Sequence, residues 1–146
     1  MSDLSVILFV QFIGKEIRII DMIKDNNKGL QDYIAMINAR KQDKGYQYKM
    51  HYLPHDSSKR DYGNAISIAD QAKAVLRDVK QLPRLPLKDG IHMMRAMCKD
   101  VWIDKDLDLY DDLVHYKREY DDKMMMFTRA AKTSISIWRL VCIRFD

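Results

Sequence analysis

Cysteine, proline and glycine are scarce in this chain, at two, three and five of 146 residues. The cysteines, Cys98 and Cys142, lie far apart and outside any C-x-x-C pair, which argues against a zinc site or a disulfide framework. Both are expected to be small buried hydrophobes. The prolines are Pro54, Pro83 and Pro86, and each marks a place where a ladder or helix is expected to stop. No apolar run reaches membrane-spanning length, and Met1-Ser2-Asp3-Leu4 lacks the basic start of a signal peptide, so a cytoplasmic protein with no membrane partner is expected. No Gly-x-x-x-x-Gly-Lys phosphate loop occurs, which leaves no motif for a nucleotide-hydrolysing motor. Internal repeats, low-complexity tracts and domain linkers are also missing.

What remains is a balanced globular composition, 47% hydrophobic and 32% charged. The length suits one domain with one hydrophobic core. A net charge of +4 and a pI near 9.0 permit an acidic partner without naming one.

Leu4 to Phe12 is almost wholly apolar and rich in β-branched and aromatic residues, the pattern of a strand covered on both faces. Ile13-Gly14-Lys15 reads as a turn, and Glu16 to Ile23 as the hairpin partner. After the loop Asp25 to Gly29, Leu30, Tyr33, Ile34 and Ile37 recur at helical spacing as far as about Lys41, and Gly45 marks the helix end. A strand over Lys49 to Leu53 follows. Ile68, Ala72, Val75, Leu76 and Val79 predict one helical stripe, and Ile91, Met94, Met97, Cys98 and Val101 a second. Between them, Leu82 to Leu87 is proline-broken and reads as an edge strand or connector. A short Trp102-Ile103 strand or turn leads to a third helix carrying Leu107, Tyr110, Leu113 and Val114. The methionines at 93, 94, 97, 124, 125 and 126 are expected to fill the core. These alternations predict an α/β domain with a mixed sheet.

The stretch richest in chemistry is Lys49-Met50-His51-Tyr52-Leu53-Pro54-His55-Asp56. Proline ends the alternation there and presents Asp56 at a strand end, where α/β sheets gather ligands. Asp56 therefore reads either as a metal-ligating or catalytic carboxylate, or as an ordinary turn residue capping the next segment. His55 reads as a turn residue or as a group supporting Asp56, because hard divalent ions prefer oxygen donors. Lys59 and Arg60 follow in the same loop, suited to a phosphate backbone or simply to solvent. The acids Asp104, Asp106, Asp108, Asp111 and Asp112 lack the glycine and glutamate of an EF-hand loop. Asp106 or Asp108 is better read as a helix cap.

Four blocks, taken in order, resemble the C-terminal nuclease domain of the large terminase subunit of tailed bacteriophages. They are Phe9 to Asp21, Tyr46-Gln47-Tyr48 with His51 to Asp56, Asp89 to Met97, and Tyr116 to Asp121. The resemblance covers residues 3 to 129, and residues 130–146 form a divergent tail. It implies an RNase H-like mixed β-sheet flanked by α-helices. It also implies double-stranded DNA as substrate, cut during viral packaging with Mg²⁺ or Mn²⁺ held by clustered acids. An ATPase domain, a portal and a small terminase subunit are the partners in full-length members. Two such ions about 4 Å apart bracket a scissile phosphate, which one carboxylate cannot arrange. Asp56 matches one metal-binding acid of the family.

The chain departs from the family at both ends. The family's Asp-x-Gly acid falls before the position matched by Asp3, and the closing acidic run is replaced by Lys132 to Leu140, with no acid from there until Asp146. The expectation is a truncated or frame-shifted prophage gene product with impaired cleavage. The alternative is a non-catalytic DNA-binding or structural remnant. Ser134 to Ile143 alternates like a strand. If it enters the sheet, the fold leaves its relatives there.

Overall fold

The computed structural model describes residues 4–60, 65–115, 120–121, 126–127 and 137–144. Strands β1 (Leu4–Ile13) and β2 (Glu16–Asn26) form an antiparallel hairpin. Its reversal falls on Gly14 at φ 60°, a left-handed conformation that costs glycine nothing. Helix α1 (Leu30–Lys44) follows, then β3 (Gln47–Leu53), α2 (Ile68–Val75), β4 (Val79–Gln81), α3 (Leu87–Met97), β5 (Val101–Ile103) and α4 (Leu109–Val114). Two short strands, β6 (Tyr120–Asp121) and β7 (Met126–Phe127), pair with each other, and β8 (Ile137–Arg144) returns to the main sheet.

Local chemistry sets these boundaries. The Asp32 carboxylate reaches back to accept the Gly29 N–H at 3.0 Å, using a donor that the first turn of α1 would leave free. Gly45 closes α1 at φ 67°, the left-handed exit expected of a glycine C-cap. Ser67 caps α2, its Oγ accepting the Asp70 N–H at 3.1 Å.

The main sheet is mixed, six strands in the order β4-β3-β8-β1-β2-β5. β8 runs parallel to β1, from Ser5 opposite Ile137 to Gln11 opposite Ile143, and antiparallel to β3, from Gln47 opposite Arg144 to Tyr52 opposite Leu140. The alternating tail is thus an interior strand that joins the β1 hairpin to β3. β1 is covered on both faces, as its apolar run predicts. Ile7 and Phe9 pack with Ile23, Tyr33, Ile37 and Tyr46 under α1. Val6, Leu8 and Val10 pack with Ile19 and Leu109 under α4. A third cluster, Leu53 with Ala69 and Ala72, seats α2 at the β3–β4 side.

The structure corrects several sequence expectations. Val79 belongs to β4, because α2 stops at Val75 and Asp78 turns the chain at φ 53°. Helix α3 buries none of its residues, and Met93 and Met94 are exposed, so they do not fill the core. Cys98 is exposed as well. Amphipathic spacing in α3 did not become burial. In α4 the fully buried residue is Leu109, whereas Tyr110 and Val114 face solvent. Asp108 holds the N-cap position of α4 but makes no side-chain capping bond. Met124 and Met125 lie outside the described residues.

Candidate functional site

Pro54 (φ −66°, ψ 160°) ends β3 and opens a 3₁₀ turn over His55–Ser58. The turn is tied from several sides. Ser57 is buried, and both its N–H and its Oγ donate to the Pro54 carbonyl, at 3.1 and 2.7 Å. The Lys59 N–H donates to the Asp56 carbonyl at 3.0 Å. Gln81 Nε2, at the end of β4, donates to the His55 carbonyl at 2.6 Å, and just beyond β4 the Leu82 N–H donates to the Leu53 carbonyl at 2.9 Å. Asp56 therefore sits half-buried on a braced turn at the carboxyl end of β3, with His55, Lys59 and Arg60 exposed around it. Its carboxylate has no hydrogen bond or ion pair among the described residues.

The register fixes which edge this is. Tyr52 lies opposite Leu140, and Leu140 opposite Leu8, so the turn after β3 lies at the edge where β1 begins and β2 ends. The described residues contain no group of three His, Cys, Asp or Glu able to share a metal ion. Asp3 and Asp146 lie outside the described residues. Asp56 offers one carboxylate where a two-ion site needs several, so the described residues do not fit that site.

Two arrangements went unnoticed in the sequence. The first is Asp21. A bulge in the hairpin pairs Phe9 with Asp21 but Val10 with Ile19, leaving Ile20 as the extra residue. Asp21, 4% exposed, receives Lys44 Nζ at 2.8 Å and Arg40 Nε at 3.6 Å, and accepts the Met22 N–H at 2.8 Å. The hydrogen bond from Lys44 to Asp21 raises the Lys44 pKa despite some desolvation. This cluster pins the C-terminal turns of α1 to β2. The signal was a lone acid inside the apolar alternation Ile19-Ile20-Asp21-Met22-Ile23.

The second is His51, 6% exposed in the middle of β3. Its Nδ1 lies 2.9 Å from the Arg77 carbonyl. A carbonyl only accepts, so Nδ1 carries the proton and Nε2 of the neutral ring is a bare acceptor. That Nε2 is buried without a partner among the described residues, and an unsatisfied buried acceptor costs about 1–3 kcal/mol. Burial lowers the His51 pKa, with the Arg77 carbonyl and Asp78 opposing and nearby Lys41 assisting. The ring meets Tyr48 edge-on at 5.5 Å between centroids. Burial raises the Tyr48 phenol above its ordinary range, and its hydroxyl donates to the Ile37 carbonyl at 2.6 Å.

The fold is thus a mixed α/β sheet with helices on both faces. No family model, curated protein or solved structure matches the chain. No helix among the described residues is long and apolar enough to cross a membrane.

Proposed function

We propose that the chain derives from a terminase large-subunit nuclease domain of RNase H-like fold, and that the Asp56–Arg60 turn is its DNA-facing element. The observation that carries this reading is a carboxylate without a partner among the described residues, on a braced turn at a strand end, with the exposed cations Lys59 and Arg60 a few residues after it. The turn's backbone is braced while the carboxylate oxygens have no partner among the described residues. The ordered resemblance of the four blocks and a mixed sheet with helices on both faces support the same origin. Ancestral chemistry on this reading is Mg²⁺- or Mn²⁺-dependent hydrolysis of double-stranded DNA, with Asp56 as one ligand and His55 beside it.

A non-catalytic reading is favoured by Lys59 and Arg60 themselves, which have no ion-pair partner among the described residues. Such cations contact phosphates without reading sequence, and their contribution falls with salt. The test is plasmid cleavage by the purified chain with Mn²⁺ or Mg²⁺, beside Asp56→Ala and EDTA controls, together with DNA retention across a salt series. Cleavage that needs both metal and Asp56 selects the enzyme. Salt-sensitive retention without cleavage, weakened in Lys59→Ala/Arg60→Ala, selects the binding module. A folded protein that neither cuts nor retains DNA overturns the proposal.

A further inference from the structure

The segment that joins β4 to β5 carries open apolar surface and positive charge together. No residue from 82 to 99 is buried. Leu82, Leu85, Leu87, Met93 and Met94 stand between 40% and 52% exposed. Helical periodicity sorts the residues of α3 into adjoining rows. Gly90, Met93 and Met97 form one row, Leu87, Ile91 and Met94 the next, and Lys88, His92 and Arg95 a third. Leu85 adds to the apolar side, since a Cβ built on Gly90 would lie 3.6 Å from Leu85 Cδ2. Two apolar rows therefore lie side by side, with a basic row along one flank. Charge is concentrated here as well. Residues 80–100 hold Lys80, Arg84, Lys88, Arg95 and Lys99 against Asp89 and Asp100, a net +3 out of the +4 of the whole chain. All five cations are exposed, and none makes an ion pair among the described residues.

We propose that this segment is an interfacial element that seats α3 and the connector before it in the headgroup layer of an anionic lipid surface. Leu85, Leu87, Met93 and Met94 enter the boundary with the acyl chains, while Arg84, Lys88 and Arg95 reach up to lipid phosphates along their own apolar stems. The lack of a spanning segment is no obstacle, because such a helix lies in the interface plane. Charge complementarity alone would also admit DNA, but phosphate contacts leave exposed leucine and methionine carbons in water. A partner's amphipathic helix would dock into a groove, whereas these side chains ride on one helix and its connector. An anionic lipid surface takes up both the charge and the carbon. No residue is shared with the Asp56 turn, so this element stands or falls separately from the proposed DNA contact.

The experiment is cosedimentation of the full chain with large vesicles, made of phosphatidylcholine alone or with about one part in three of phosphatidylglycerol, across a salt series. The parent is expected to bind the anionic vesicles at least about tenfold more tightly than the neutral ones, and to be released as salt rises. Lys88→Glu/Arg95→Glu, altered only at exposed positions and checked by an unchanged melting transition, is expected to lose about tenfold in affinity for anionic vesicles. Leu87→Ser/Met93→Ser, checked in the same way, is expected to lose affinity by a similar factor although no charge changes, which a purely electrostatic contact would not show. Lys59→Ala/Arg60→Ala is expected to lose none. A folded parent that stays in solution beside anionic vesicles, or either α3 variant binding them as well as the parent, overturns the proposal. DNA retention lost in Lys88→Glu/Arg95→Glu while vesicle binding persists assigns the segment to nucleic acid and overturns it too.

Discussion

Asp21 is the buried charge on which the α1–β2 contact turns, and removing its cations should cost more than removing the carboxylate itself. The acid is 5% exposed at its side chain, while Lys44 and Arg40 are 41% and 37% exposed. In Asp21→Asn the amide oxygen still accepts the Met22 N–H and both cations relax into water, so the loss is about 1 kcal/mol of charge-assisted bonding. In Lys44→Ala/Arg40→Ala a carboxylate is left in the interior with one backbone donor. Breaking a fully buried pair costs about 3–5 kcal/mol, and solvent screening of these half-exposed cations reduces that to roughly 2–3 kcal/mol. Urea unfolding monitored by circular dichroism reads the difference. With a slope of about 2 kcal/mol/M for a domain of this size, the midpoint should fall by roughly 0.5 M for Asp21→Asn and by about 1–1.5 M for the double variant. A midpoint for Asp21→Asn equal to or below that of the double variant would refute the reasoning.

Three further outcomes follow from particular contacts. Leu109, fully buried between α4 and β1, should cost about 3 kcal/mol on truncation to alanine, a fall in Tm of roughly 6–12 °C. Val114→Ala, at a 60% exposed position of the same helix, should stay within about 0.5 kcal/mol of the parent. Equal losses in the two would mean that α4 is not seated through Leu109. The lowered His51 pKa means that the unfolded chain binds the proton more readily. This part of the stability is complete above about pH 6.5 and drains away as pH falls towards the depressed folded value. His51→Phe should flatten the slope of stability against pH below 6.5, and an unchanged slope would sink this account. Removing residues 137–146 deletes the strand between β1 and β3 and exposes two interior edges, so the shortened chain should lose cooperative melting and aggregate. A monomer with the parent's melting curve would contradict the sheet order.

Much of the architecture was legible where backbone chemistry leaves little choice. The apolar run of β1, the reversal at Gly14, the left-handed stop at Gly45 and the break at Pro54 all stand where their residues predict. What was not legible depended on partners distant in sequence. Met93 and Met94 have helical spacing but stay exposed, and spacing alone does not say whether a covering surface exists. Leu109 differs from Tyr110 only by which side of α4 meets β1. At the candidate turn, the exposure of Lys59 and Arg60 and the strand end at Asp56 were readable. Asp21 and His51 were passed over because each interrupts an apolar alternation, and an interruption reads as noise until its partners from α1 or the α2–β4 turn are known.

The position of β8 also bears on the order in which this molecule can assemble. Ser5 pairs with Ile137, a separation of 137 − 5 = 132 residues, so closing that loop costs on the order of 4 kcal/mol before any long-range pairing repays it. Until then the hairpin with β5 and the β3–β4 pair are separate half-sheets. Contacts of such range slow folding. On a translating ribosome the two halves must wait, edges open, until residues 137–144 have cleared the exit tunnel, which makes the interval of synthesis a time of exposure that a chaperone would have to cover.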